Sequence, residues 1–283
     1  MKMVTLKSKP DLIVRPDNSI LIEIWDLLWK YDVIRSVDIN SFSVSVVNGI
    51  VLLTGHLSRT SNRRLTENIV DSVADVAAVK NKLVADDELT MQVAQALSRD
   101  ERIRPFVLPV GSSYGWVYLG REVPARELQL VAEEVAGQVP SVRGVVSLPK
   151  VAGESCCPER RALQPPIKAR IYDHNRQEAV VTQVVIQPRN RLVTHAVVST
   201  NDSRDGKYVF HKYLVPVEEM EVVNRESIFL KRNGPPLNTF PAFELSDYPL
   251  APLDWQPPYP YSVGMVRWQR EQHEKAMSEL NSN

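Results

Sequence analysis

The chain repeats itself. Sliding it by 66 residues places Gly49 on Gly115, Val51 on Val117 and Leu53 on Leu119. The same shift places Leu57 on Val123, Leu65 on Val131, Ile69 on Val135 and Val73 on Val139, then Val76 on Val142 and Val79 on Val145. One uninterrupted offset that keeps apolar character from Gly49 to Val79 points to a duplicated domain. Whatever fold is assigned must therefore be written twice.

The first copy spells out its elements. Ile20, Ile24, Leu27, Leu28 and Tyr31 recur at helical spacing behind Asp17, Asn18 and Ser19, a cluster able to cap a helix start. "VSVVNGIVLLTG" alternates on either side of Asn48-Gly49, a pair suited to the positive backbone angles of a tight hairpin. Leu65, Ile69, Val70 and Val73 fall on one face of a second helix. "VAAVKNKLVA" reads as a closing strand. It must cross back over that helix to join the sheet, which favours a right-handed crossover. The second copy writes its hairpin as "YGWVYLGR" and carries Pro105 and Pro109 in its first strand, where a central position would lose ladder hydrogen bonds.

These residues resemble the BON domain, which shows a G-x-V-x-L-x-G hairpin, a helix and a V-x-x-V-x-N-x-L strand. Gly49, Val51, Leu53 and Gly55, then Val76, Val79, Asn81 and Leu83, match in full. The second copy keeps Gly115, Val117 and Leu119, moves its last glycine to Gly120, and has Ser147 in place of the asparagine. It reads as a sheet-edge variant or a degenerate domain.

Residues 151–164 hold small, polar and proline residues without periodicity and read as a linker. Five β-rich runs follow, with turn clusters at Asn175, at Pro188-Arg189-Asn190 and from Asn201 to Gly206, as in a small barrel. The polar turn from Asp173 to Gln177, the "VVTQVVIQP" strand and the step from Leu214 to Met220 are similar to a PRC-barrel, without the glycine usual in its first turn. Beyond residue 233, prolines interleave with Phe240, Phe243, Tyr248, Trp255, Tyr259 and Tyr261. Six large rings left in solvent would harm solubility. They read as anchors of an extended arm that lies on another module or another subunit. "VRWQREQHEKAMSEL" then reads as a terminal helix.

The expected fold is α+β. An N-terminal arm (1–16) precedes two tandem BON-like αββαβ domains (17–86 and 87–150), the linker, a small all-β PRC-like barrel (165–233), and the Pro/aromatic arm with its helix (234–283).

Charge narrows the function classes. The chain has 34 basic and 34 acidic residues, and even residues 151–234 carry a surplus of three positive charges at most, so nucleic acid is an unlikely partner. The lysines at the N-terminus precede no apolar run, and no stretch has the roughly 18 apolar residues of a membrane span, so the expected compartment is the cytoplasm. Cys156 and Cys157 are adjacent and offer no disulfide framework. No P-loop, zinc-protease or nucleophile-elbow motif occurs. His195 and His211 lie in neighbouring strand candidates, where a facing metal pair is the sharp reading and separate surface histidines the bland one.

The expectation is therefore a protein without catalytic residues, cofactor or metal, working as a binding module or scaffold. Its partner would be another protein or itself. BON domains are associated with phospholipids, and Arg59, Arg63 and Arg64 are the candidate contact for a weakly held anionic lipid. An oligomer held by the aromatic arm and a factor docking on a large assembly through the barrel are the other readings.

Overall fold

The computed structural model describes residues 15–120, 125–147, 163–204, 207–223, 226–252 and 255–269. The chain divides into two units, Met1–Asp87 and Glu88–Asn283.

In the first unit, α1 (Asp17–Leu28) is followed by β1 (Phe42–Val47), β2 (Ile50–Leu57), α2 (Thr60–Asp71) and β3 (Ala78–Ala85). β1 and β2 form an antiparallel hairpin, and β3 returns parallel to β2, giving the order β1-β2-β3. Ile20, Ile24 and Leu28 of α1 and Ile69 and Val70 of α2 bury against Phe42, Val51, Leu53 and Leu83 of the sheet. Two residues depart from expectation. α1 stops at Leu28, so Tyr31 lies beyond it and is exposed. Asp17 does not cap α1, whose N-cap position is Pro16. Its carboxylate instead accepts the backbone N–H groups of Asn48 (2.8 Å) and Gly49 (2.9 Å), tying the helix start to the hairpin turn.

From the end of the first unit onward, α3 (Asp86–Arg99), β4 (Val110–Ser113), β5 (Trp116–Leu119), α4 (Arg126–Gly137) and β6 (Gly144–Ser147) repeat this order with the same pairing. The offset of 66 reaches the backbone itself. Asn48 and Gly49 take φ of 50° and 73°, and Tyr114 and Gly115 take 49° and 81°. Asp75 and Ser141 are both left-handed, and the bond from Ala77 N–H to Gly49 O recurs from Arg143 N–H to Gly115 O, each at 2.9 Å. The first helices obey a different shift. Ile20, Ile24 and Leu28 correspond to Leu89, Val93 and Leu97, an offset of 69, and all six are buried. Three residues are thus missing between helix and hairpin in the second copy. In the first copy this stretch includes a π-helical turn, Ile34–Asp38.

The rest of the second unit is a curled sheet in the order β10-β9-β8-β7-β12-β11. Its strands are β7 (Arg170–Tyr172), β8 (Glu178–Ile186), β9 (Val193–Arg204), β10 (Lys207–Pro216), β11 (Met220–Val223) and β12 (Ser227–Leu230). It is a half-barrel, because no ladder joins β10 to β11 among the described residues. Asp173 replaces the missing turn glycine. Its Oδ1 accepts N–H from Asn175 and Gln177 (both 2.8 Å) while Arg176 takes φ of 61°. Val266–Trp268, expected as helix, is a strand, β13, parallel to β8. Residues 270–283, with the rest of that expected helix, lie outside the described residues. So do 1–14 of the N-terminal arm, and Cys156 and Cys157 of the linker.

Candidate functional site

The arm residues lie on their own half-barrel. Leu237, Phe240 and Tyr261 complete the core with Ile171, Val184, Val215, Met220 and Ile228. Residues 241–243 run beside β10, where Leu214 N–H meets Pro241 O and Phe243 N–H meets Lys212 O, each at 2.9 Å. Phe243 then buries on the opposite face of the sheet with Val185, Val197 and Leu214, and Tyr248 stacks on it at 5.6 Å. The proline-rich backbone makes such a path cheap, because its extended shape is set before docking. The Tyr261 hydroxyl donates to Pro165 O (2.9 Å), and burial pushes its ionisation far above the usual tyrosine range.

Trp255 and Tyr259 reach a seam between the half-barrel and the second repeat. Two arginines hold it. The Arg143 guanidinium lies 5.5 Å from the centres of both Trp116 and Tyr259 and donates to Tyr114 O, Tyr259 O and Gln164 Oε1. Arg191 enters from the β8–β9 turn, over Trp255 at 5.0 Å, and donates to Gly137 O, Val139 O and Gln256 O. Gly137 O ends α4 and Val139 O lies just past its cap, where the helix dipole favours a cation. Burial lowers the Arg191 pKa to about 10, which leaves it charged at neutral pH. The backbone joins in, since Val145 N–H of β6 donates to Asn190 O at 2.8 Å.

Two glycines let the surfaces close. A Cβ on Gly137 would stand 2.1 Å from Arg189 O, and one on Gly144 would stand 2.5 Å from the Trp116 ring and 2.9 Å from Leu192. At the same positions, 66 residues earlier, the first repeat has Asp71 and Ala78, both exposed. Trp116 and Arg143 are likewise Ile50 and Ala77 there. Trp116, Gly137, Arg143 and Gly144 are therefore departures from the first copy that fit the second to the half-barrel. Comparing the two copies position by position was the available signal for Gly137, Gly144 and Arg143. Arg191 left no such trace, because its partners are backbone carbonyls distant in sequence.

The hairpin glycines divide into two kinds. Gly49 and Gly115 hold left-handed turns. Gly55 lies outside the turn, at φ 121°, where a Cβ would sit 2.5 Å from Ser41 O. Gly120 is not its equivalent: a Cβ there would meet Pro109 at an ordinary 3.7 Å, without positive φ.

Arg59, Arg63 and Arg64 stand at the start of α2, with Arg59 and Arg64 exposed. Carboxylates already occupy the amides there. Asp87 accepts Thr60 N–H (3.0 Å) and the Thr60 hydroxyl (2.7 Å), while buried Asp38 accepts Ser58 N–H (2.9 Å) and Asn62 Nδ2 (2.6 Å). His195 and His211 do not face each other. Their cross-strand partners are Pro216 and Thr200, and no metal-binding cluster of three side chains exists among the described residues. No helix among those residues is long and apolar enough to cross a membrane.

The αββαβ order is written twice, with matching turns. Two segments, residues 27–85 and 85–153, match the BON domain. No curated protein matches the chain. Among solved structures it is similar to CdsD of Chlamydia trachomatis, described as a structural protein of the type III secretion system. One structure has 14% identity and a TM-score of 0.37, covering 47% of this chain and 61% of that one. Another, of the CdsD C-terminal domain, has 16% identity and a TM-score of 0.36, covering 51% and 66%. The chain thus spans less than two thirds of either relative.

Proposed function

We propose that this chain is a non-enzymatic protein-binding scaffold with a fixed base and a binding head. The second BON domain, the half-barrel and the arm form the base. The first BON domain is the head.

The observation that carries this reading is the contrast between the two BON domains. The second is fitted to the half-barrel through Gly137, Gly144, Trp116 and Arg143. The first has none of these, and Asp71 in place of Gly137 would collide with the Arg189 carbonyl. The first domain instead displays Ile22 (62% exposed), Trp29 (52%), Tyr31 (41%), Val33 (50%) and Val37 (48%), with Lys30, Asp32 and Arg35 among them. A cluster of apolar side chains among charges is the usual mark of a protein-interaction surface. Contact of anionic lipid with Arg59, Arg63 and Arg64 is the lesser reading, because Asp38 and Asp87 already occupy that helix start.

The test is site-specific photo-crosslinking of the full chain in its native cells. A photoreactive side chain at Trp29 or Val33 should give protein adducts, and one at Phe229 in the half-barrel should not. Adducts confined to the half-barrel would refute the assignment of head and base.

A further inference from the structure

A sheet edge offers a row of unpaired backbone groups, and proteins guard such edges with charge, proline, brevity or cover. Almost every sheet edge among the described residues is guarded. β3 carries Lys80 and Lys82. β4 has four residues, with Gly111 inside and Pro109 before it. β6 is met by the β8–β9 turn through Asn190 O, and β10 is met by residues 241–243. β11 has four residues and includes Glu221. Where β9 and β10 outrun β8, the sequence places Asp202, Arg204 and Lys207. β1 is the exception. It has six residues, Phe-Ser-Val-Ser-Val-Val, without charge, glycine or proline, and no described strand lies beyond it.

The backbone of β1 shows which groups are available. Asn48-Gly49 is a two-residue turn, so the closing pair Val47–Ile50 is hydrogen-bonded and odd-numbered residues of β1 face β2. The bond from His56 N–H to Ser41 O (2.9 Å) follows the same parity. The N–H and C=O groups of Val44 and Val46 therefore point away from the sheet. Val47 is 64% exposed at the same edge. Beside it runs a stripe of α1. The Trp25 ring stacks on Phe42 of β1 at 5.7 Å, and Ile22 and Trp29, three residues before and four after it, share its flank. At the corresponding positions of the second BON domain, offset by 69, stand Met91, Ala94 and Ser98. The long unguarded edge and the tryptophan flank occur together, and in the first domain.

We propose that this edge pairs with the same edge of a second copy of the chain, antiparallel, about a two-fold axis at Ser45. This rests on the scaffold reading above and names its partner. The strand is self-complementary in this arrangement. Outward-pointing Val44 meets Val46 of the other copy, so both backbone rows find partners. Side chains on the core-facing side, Val44 and Val46, meet each other. On the outer side Ser45 meets Ser45, and Ser43 meets Val47, which is covered. No charge is placed against a like charge along the strand. The two three-stranded sheets become one of six, and the α1 flanks bearing Ile22, Trp25 and Trp29 come alongside and bury together. A foreign strand could use the same backbone groups, but the symmetric partner also supplies the matching tryptophan flank.

Sedimentation velocity on the purified full chain tests this. The expected particle has twice the 32.0 kDa chain mass at micromolar concentration. Ser45→Lys sets two like charges opposite each other at the axis and should raise the dimer dissociation constant at least about tenfold. Ser45 is exposed, so circular dichroism should be unchanged. In a chain whose two cysteines are serine, Ser45→Cys should form a disulfide-linked dimer. A non-hydrogen-bonded pair sets Cα atoms about 4.5 Å apart, within disulfide reach. Ser43→Cys, opposite Val47, should not cross-link. A chain that stays monomeric, a dimer indifferent to Ser45→Lys, or no capture through Ser45→Cys overturns the proposal. If photo-adducts with a different protein still form at Trp29, the scaffold reading survives that result; if none form there, it fails independently.

Discussion

Replacing Gly137 by alanine sets two effects against each other. In an exposed helix the change would add about 1 kcal/mol of stability, because glycine is the poorer helix former. Here the new Cβ would stand 2.1 Å from Arg189 O, roughly an ångström inside any van der Waals contact. That oxygen is backbone, in a turn held by the bonds of Arg191 and Asn190, so it cannot rotate aside. The turn and α4 must separate, which weakens the Arg191 bonds to Gly137 O and Val139 O and the Val145–Asn190 bond. Overpacking of this kind costs about 1–3 kcal/mol. The clash should win, because the lost bonds add to it. For a unit of this size each kcal/mol moves the melting temperature by about 2–4 °C. Calorimetry on the full chain should therefore show the Glu88–Asn283 transition falling by several degrees while that of the first unit stays in place. Asp71→Ala, at the matching position of the first BON domain, is the control and should change little. A second-unit transition that holds or rises with Gly137→Ala would refute the seam as described.

Gly49→Val and Gly115→Val should each cost about 1 kcal/mol or more, since both replace a left-handed residue, and thermal melts of the corresponding unit will show it. Asp38→Ala strips the acceptor from Ser58 N–H and Asn62 Nδ2 and should destabilise the first unit by about 1–3 kcal/mol in urea titration. Burial holds the His195 pKa below its ordinary 6.5, opposed more weakly by Glu218. On acidification the unfolded chain takes up this proton first, so the stability linked to neutral His195 is complete above about pH 6.5 and is lost as pH falls through the lowered value. Melts of the second unit from about pH 7.5 to 5 should show that fall, and His195→Gln should flatten it. Ending the chain after Asn233 removes Leu237, Phe240, Tyr261 and Val266 from the core, and should unfold the half-barrel, read as lost cooperativity and new binding of a hydrophobic dye.

The elements of the repeat were legible because their causes are local. Asn48-Gly49 encodes its own turn, and the spacing of Ile20, Ile24 and Leu28 encodes a buried face whatever it packs against. Asp17 was misread for the same reason: three capping residues at a helix start invite a local bond, yet the carboxylate reaches Asn48 and Gly49 instead. The terminal helix failed similarly. Val266–Trp268 can enter a helix, but the parallel pairing with β8 decides for strand. Sequence by itself determined that the chain holds a domain written twice, followed by a β-rich module and a proline-aromatic tail. Tertiary structure alone decided what the differences between the copies are for. Gly137, Gly144 and Arg143 matter through a carbonyl, a leucine and a tyrosine that are remote in the chain, and Arg191 through the end of a helix it never adjoins in sequence. Patterns of propensity and period carry no information about such partners, because close approach depends on where two surfaces meet rather than on what either segment prefers alone.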